Sequence, residues 1–195
     1  GLGLILLAGP LTATIYQYGE FTAFDTRMAA ISLSAMAVGV PAFMLSKVLM
    51  PAFYARQDTK TPMRAALWTI AFNVLLTIAI TTPLWLGGIE GAHGGIALAT
   101  GLAGIFNAWL LWRYVRRAGL HRPLPGWGLL AVRLGVACVA LAVAVFAMRG
   151  WIGDFRALPT WWRVGGLLAT VGAGMVAYVA TLWVAGMRPA DLREH

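Results

Sequence analysis

Apolar residues run along this chain in long blocks, separated by short polar or glycine-rich connections. A bilayer-crossing helix needs about 20 predominantly apolar residues. The blocks predict six spans: residues 1–15, 26–49, 62–83, 95–112, 127–148 and 160–184. No segment alternates apolar and polar positions as the strands of a membrane barrel do. The predicted fold is therefore all-α, a polytopic transmembrane helix bundle of six spans. No connection is long enough for a separate soluble domain, so residues 1–195 read as a single transmembrane region. The first block opens at Gly1, already inside an apolar run, and is read as the broken end of a longer protein whose N-terminal part is missing.

Boundary residues sharpen these spans. Thr61-Pro62 predicts a helix start, because Thr can cap and Pro at the first helical position loses no hydrogen bond. Pro41 sits inside the second span just after Gly39, where it must remove one backbone bond and kink the helix. Pro10, after Ala8-Gly9, makes a similar weak point in the first span. Gly87, Gly88 and Gly91 punctuate the connection before the fourth span. Trp85, Trp109, Trp112, Trp127, Trp151, Trp161, Trp162 and Trp183 fall near span ends, as an aromatic belt at the bilayer interfaces requires.

Composition agrees with the pattern. The chain is 60% hydrophobic and only 11% charged, whereas soluble domains carry about 25% charged residues. The single cysteine, Cys138, excludes a disulfide framework and a multi-cysteine metal site. The net charge of +8 reads as a topology signal rather than a nucleic-acid surface, because the cations lie mostly between spans. Lys47, Arg56, Lys60, Arg64, Arg113, Arg116, Arg117, Arg122, Arg133, Arg188 and Arg193 fall on one side under strict alternation of spans. Only Arg27, Arg149, Arg156 and Arg163 fall on the other. The richer side is the cytoplasmic one, which places the C-terminus in the cytoplasm.

Catalytic chemistry is not visible. His93, His121 and His195 fall in connections or the tail, no carboxylate pair sits inside a span, and no phosphate-cradling glycine loop leads into a helix. No metal site and no cofactor are expected on these grounds. Polar residues inside spans are the candidates, since a polar group in hydrocarbon must be paired or face a cavity. Asn73 lies mid-span, with Thr69 one turn before it and Thr77 one turn after. Asn107 follows Gly95, Ala99 and Ala103 at four-residue spacing, and Thr100 lies on the adjacent stripe with Ile96. Two readings stand for this set: interhelical packing glue, or the lining of a substrate or ion path. The small stripe Ala169, Ala173 and Ala177 predicts a packing face on the last span. The cations Lys47, Arg56, Lys60 and Arg64, with Asp58 among them, suit anionic lipid head groups or the pyrophosphate of a lipid-linked substrate.

The string Pro51-Ala52-Phe53-Tyr54-Ala55-Arg56-Gln57-Asp58-Thr59-Lys60-Thr61-Pro62 resembles a signature of the MurJ/MviN family. Gly9-Pro10-Leu11-Thr12, Tyr18-Gly19-Glu20-Phe21-Thr22, Phe24-Asp25, Gly95-Ile96-Ala97-Leu98-Ala99-Thr100 and Pro125-Gly126-Trp127 resemble further family segments in the same order. These are lipid II flippases of bacterial cell-wall synthesis, within the multidrug/oligosaccharidyl-lipid/polysaccharide exporter superfamily. The resemblance implies the last six of fourteen spans, in the bacterial cytoplasmic membrane. It implies a transporter that carries lipid II between leaflets by alternating access, with lipid II, membrane lipids and cell-wall synthesis proteins as partners and no nucleic acid. It also implies a tail-holding groove between the segments Trp127–Met148 and Thr160–Val184. Some family members hold a sodium ion with an Asn and an Asp one turn apart. Asn73 matches that Asn, Thr77 stands in place of the Asp, and Thr100 and the Ile96 carbonyl are the remaining partners the resemblance offers. Proton coupling is the other option. A related exporter of the superfamily, and a non-transporting scaffold for cell-wall enzymes, are the alternative functions.

Overall fold

A computed structural model of the chain describes residues 1–16, 22–88, 92–119, 127–153, 155 and 159–186. The Tyr18–Phe21 and Pro125-Gly126 strings, and Glu90, Gly91, His121, Arg122, Arg156, Arg188, Arg193, Glu194 and His195, lie outside those residues. Among the described residues all regular structure is α-helical: α1 Leu2–Tyr16, α2 Ala23–Ala37, α3 Val40–Tyr54, α4 Lys60–Leu86, α5 His93–Arg117, α6 Trp127–Ile152 and α7 Thr160–Val184. α2 and α3 are two halves of one broken apolar helix, Ala23–Tyr54. With α4 to α7 it makes five helices long and apolar enough to cross a membrane, and α1 is a shorter apolar helix. Large apolar side chains stand exposed along these helices, Val48, Leu75, Phe146 and Val176 among them. In water such surface would drive aggregation, and against lipid tails it carries no penalty. This is a multi-pass membrane protein.

The helices are longer than the apolar blocks predict, except at α1 and α7. α4 extends the 62–83 block at both ends and α5 carries the 95–112 block on to Arg117. The added turns hold the cations and aromatics of the interface, which stay helical beyond the hydrocarbon. The helix start expected at Pro62 is corrected. α4 begins at Lys60 after Thr59, and the cap comes from Asp58, whose Oδ1 accepts the Thr61 backbone N–H at 3.0 Å. At the start of α2, Thr22 and Asp25 cap each other. The Asp25 carboxylate accepts the Thr22 N–H at 2.9 Å and its hydroxyl at 2.7 Å, and the Thr22 hydroxyl oxygen accepts the Asp25 N–H at 3.2 Å. Reciprocal capping of this kind satisfies donors that a helix start otherwise leaves orphaned.

Both internal prolines leave a signature. Pro41 has no N–H to give the Ala37 carbonyl, and the helix is interrupted at Val38–Gly39 as the sequence predicts. Pro10 does not break α1, but it deprives the Leu6 carbonyl of its helical partner. Arg149, from the last turn of α6, donates to that oxygen at 3.0 Å.

The chain divides into two compact units. The first holds α2 from Arg27 onward with α3, α4 and α5. Within it α5 is central: half of its most apolar stretch is buried, against 6% for α4. Its Gly95 lets Ile80, Thr81 and Leu84 of α4 approach within van der Waals contact, while Gly101 and Gly104 face the α2–α3 break. Phe72 of α4 stacks on Phe106 of α5, ring centres 4.4 Å apart. The second unit holds most of α1, the first turn of α2, α6 and α7. The buried face of α7 runs through Leu167, Thr170 and Gly174, with Gly174 set against Val145 and Leu141 of α6. The packing stripe expected at Ala169, Ala173 and Ala177 is therefore displaced by one residue, and Ala169 is exposed. Small residues recur so densely on this helix that spacing alone cannot choose between adjacent stripes.

Candidate functional site

The predicted polar positions of the first unit fall into one central junction and two local pairs. At the junction, Asn107 of α5 reaches both neighbouring helices. Its Nδ2 donates to Ser46 Oγ of α3 at 3.2 Å, and its Oδ1 accepts from Thr69 Oγ1 of α4 at 3.2 Å. Thr69 shares that hydroxyl proton with its own Ala65 carbonyl at 2.8 Å. Ser46 is buried, so the bond to Asn107 spares it an unsatisfied hydroxyl. An amide carries both donors and an acceptor, and this is why one Asn can serve two helices at once.

The other predicted positions are arranged differently. Asn73 and Thr77 pair along α4, Thr77 Oγ1 lying 3.4 Å from Asn73 Oδ1, at the outer limit of hydrogen bonding. Thr100 Oγ1 donates to the Ile96 carbonyl at 3.0 Å, one turn back on α5. Among the described residues no hydrogen bond joins the Asn73–Thr77 pair to Thr100 or to Asn107. Asn73, Thr77 and Thr100 are half-buried, and Ile96 is exposed.

These oxygens are a poor match for a cation. A hard ion takes several oxygens, usually including carboxylate. Here the set is neutral and includes no carboxylate, and no group of three or more His, Cys, Asp or Glu occurs among the described residues.

The cationic positions gather at one end of the unit. Leu49 and Phe53 of α3, Ala65 of α4 and Leu110, Leu111 and Val115 of α5 form one buried cluster, so the end of α3, the start of α4 and the end of α5 lie together. Around that cluster stand Lys47, Arg56, Lys60 and Arg64, all exposed, joined by Arg113, Arg116 and Arg117 of α5. Arg113 lies over the Trp109 ring at 5.3 Å, a cation–π contact.

The turn that carries Arg56 is strained. Gln57 adopts φ 55°, a left-handed conformation that costs an L-residue about 1 kcal/mol. The Asp58 N–H bonds the Phe53 carbonyl at 3.0 Å and the Gln57 N–H bonds the Tyr54 carbonyl at 2.9 Å, closing α3 in the pattern usually reserved for glycine. Hydrogen bonding from Thr61, with Arg56 nearby, holds the Asp58 carboxyl below its ordinary value of 3.8.

Sequence reasoning missed Ser46 and the seats at Gly39, Gly101 and Gly104. Ser46 is a lone hydroxyl in an apolar span, and nothing in its spacing says that it meets an Asn 61 residues away. The strain at Gln57 carried a legible signal: a polar residue standing where a helix-ending glycine is cheapest.

In the second unit two hydroxyls of α7 are satisfied within their own helix, Thr170 by Gly166 at 2.7 Å and Thr181 by Ala177 at 2.7 Å. Two apolar clefts mark its surface. One of about 330 Å³ is lined by Trp151, Ile152, Trp162, Gly165, Gly166 and Ala169. The other, about 490 Å³, runs along α7 past Gly172, Met175, Val176, Val179, Ala180 and Trp183.

Residues 1–161 match the model of the family described as lipid II flippase MurJ. The chain belongs to that family. It is 33% identical over 199 residues to the lipid II flippase MurJ of Burkholderia cenocepacia, a match covering 99% of this chain and 36% of the relative. It is 32% identical to the probable lipid II flippase MurJ of Vibrio cholerae, covering 98% of this chain and 35% of that protein. The corresponding protein of Rickettsia prowazekii is 34% identical across 78% of this chain and 29% of its own length. The chain thus spans about a third of the length of the curated relatives it matches.

Proposed function

We propose that this chain supplies the C-terminal part of a flippase, not an enzyme, that moves lipid II from the inner to the outer leaflet of the bacterial cytoplasmic membrane. The observation that carries the reading is the family match over residues 1–161, reinforced by relatives whose names state that activity. A bulky polar head cannot cross hydrocarbon unaided, for the desolvation reason that excludes isolated charges. Two lobes rocking around a polar cavity solve the problem by alternating access.

Each part of the chain has a role in such a cycle. The cationic end of the first unit faces the cytoplasm, where the positive-inside bias puts it. There Lys47, Arg56, Lys60 and Arg64 meet the pyrophosphate of the incoming head group, as charge-assisted donors do. Asn73, Thr77, Thr100 and the Ile96 carbonyl contribute neutral oxygens and amide hydrogens along the path, while Asn107 holds α3, α4 and α5 in register. The apolar clefts along α6 and α7 give the lipid tail a place to stay while the head passes.

The test is complementation. The full-length gene is expressed in a bacterium depleted of its own lipid II flippase, with lipid II scored on the outer leaflet. Rescue with outward lipid II is the expected result. Normal membrane insertion without rescue would point to another exporter of the superfamily or to a non-transporting scaffold.

A further inference from the structure

We infer that the α2–α3 break is a working hinge, with the Gly39–Gly101 contact as its fulcrum and α3–α4–α5 as the block that stays still. The inference rests on the transport reading for its purpose, though not for its geometry.

Three observations carry it. First, the break lacks its helical closure. Pro41 has no N–H for the Ala37 carbonyl, and the chain crosses the gap by bonding Gly39 N–H to the Met36 carbonyl and Phe43 N–H to the Gly39 carbonyl, each at 3.0 Å. Second, the fulcrum is backbone on backbone. A methyl group at Gly39 would lie 2.6 Å from the Gly101 Cα, and one at Gly101 would lie 3.1 Å from the Ala35 carbonyl oxygen. With no side chain on either surface, rotation there meets no interlocking ridge.

Third, the two halves are held unequally. α3 is bonded through Ser46 to Asn107 and onward to Thr69, its Phe43 ring fills the space over Gly104, and Leu49 and Phe53 enter the buried cluster. α2 meets α5 through apolar and backbone contacts alone, Ile31 at Gly94 and Ala35 at Gly101. Among the described residues no hydrogen bond joins α2 to α5, and Ser32 and Ser34 give α5 nothing. Bending at the break therefore breaks no hydrogen bond between α2 and α5, whereas moving α3 would break the Ser46–Asn107 bond.

The lever is long enough to matter. Arg27 is twelve residues from Gly39, about 18 Å along the helix, so a bend change of about 20° carries it about 6 Å.

The experiment uses the full-length protein in lipid nanodiscs, with Cys138 and any other native cysteine replaced. Spin labels go on Arg27→Cys with Trp85→Cys, between the moving end of α2 and the neighbouring end of α4, and on Val48→Cys with Leu67→Cys within the block. All four positions are exposed. Pulsed dipolar measurement should give two Arg27–Trp85 populations differing by as much as about 6 Å and one narrow Val48–Leu67 distance. Pro41→Ala restores the missing donor and should collapse the first pair to one population, leaving the second unchanged. A single narrow Arg27–Trp85 distance in the parent protein would overturn the hinge, as would two populations that persist unchanged in Pro41→Ala. A split Val48–Leu67 distance would overturn the fixed block. None of these readings depends on transport, so failure of complementation would sink the flippase reading and leave the hinge to be decided by the distances.

Discussion

The two units hold their helices together by different means. In α3–α4–α5 an amide on the central helix bonds side chains on both neighbours, and glycines bring backbones into contact. In α6–α7 the hydroxyls of Thr170 and Thr181 turn back on their own helix, and contact between the helices is side-chain packing around Ala137, Val145, Leu167 and Gly174. A hydrogen bond between helices fixes register, because sliding by one residue breaks it. Packing among small apolar side chains fixes distance but tolerates shifts and admits lipid. The first arrangement suits a frame that must keep its shape, and the second suits a surface that exchanges contacts with acyl chains.

Substitutions can break this contrast at several depths. The largest effect is expected at the glycine seat. Gly39→Val would drive carbon atoms into the Gly101 backbone and should cost about 3 kcal/mol. Gly135→Ala on α6 and Gly172→Ala on α7, where a methyl group meets nothing within 4 Å, should change stability by less than about 0.5 kcal/mol. Equilibrium unfolding in mixed micelles distinguishes the two classes, and equal losses would abolish the contrast.

Next comes the polar junction. Asn107→Leu removes both interhelical bonds and strands Ser46, for an expected loss of about 1–2 kcal/mol. A double-mutant cycle with Ser46→Ala should return a coupling of about 0.6 kcal/mol, and zero coupling would mean that the bond contributes only geometry.

Gln57→Gly should act in the opposite direction. It relieves the left-handed strain and should gain about 1 kcal/mol, read in the same unfolding assay. If it also impairs complementation, the turn is held strained for function.

Thr170→Val is the counterpart of Asn107→Leu in the other unit. Its hydroxyl serves a carbonyl of its own helix, so the loss should stay under about 0.5 kcal/mol despite full burial.

The smallest effect concerns Asp58, which is half-buried at the surface. Its carboxyl titrates below its ordinary value of 3.8 in the folded protein, so the stabilisation it lends α4 is present above that pH and is lost as pH falls through the lower folded value. Hydrogen exchange at the first turn of α4 should accelerate on acidification in the parent chain and be insensitive to the same change in Asp58→Asn.

How much of this was legible in advance differs from residue to residue. The break at Gly39–Pro41 was readable, because proline removes a donor wherever it stands. The stripe Gly95, Ala99 and Ala103 was readable as a packing face, because helical periodicity puts those positions together, and all three are buried. The helix ends were misjudged at Thr61-Pro62 because the cap comes from Asp58, three residues before the N–H it satisfies. The α7 stripe was misplaced because too many small residues satisfied the same pattern. Asn73 and Asn107 looked alike as polar residues in spans, and the structure separates them: one pairs weakly along its own helix, the other joins three helices.

By itself, then, the sequence determined the bilayer as solvent, the helical class and the location of the kink. Each follows from local composition and covalent geometry acting over a few turns. Only the tertiary structure decided that Ser46, Thr69 and Asn107 meet, that Gly39 rests on Gly101, and that the Pro10-freed Leu6 carbonyl is taken by Arg149. The physical reason is the same in each case. A polar side chain in an apolar span states that it needs a partner, but which partner it finds depends on the rotation and register of helices far apart in the chain.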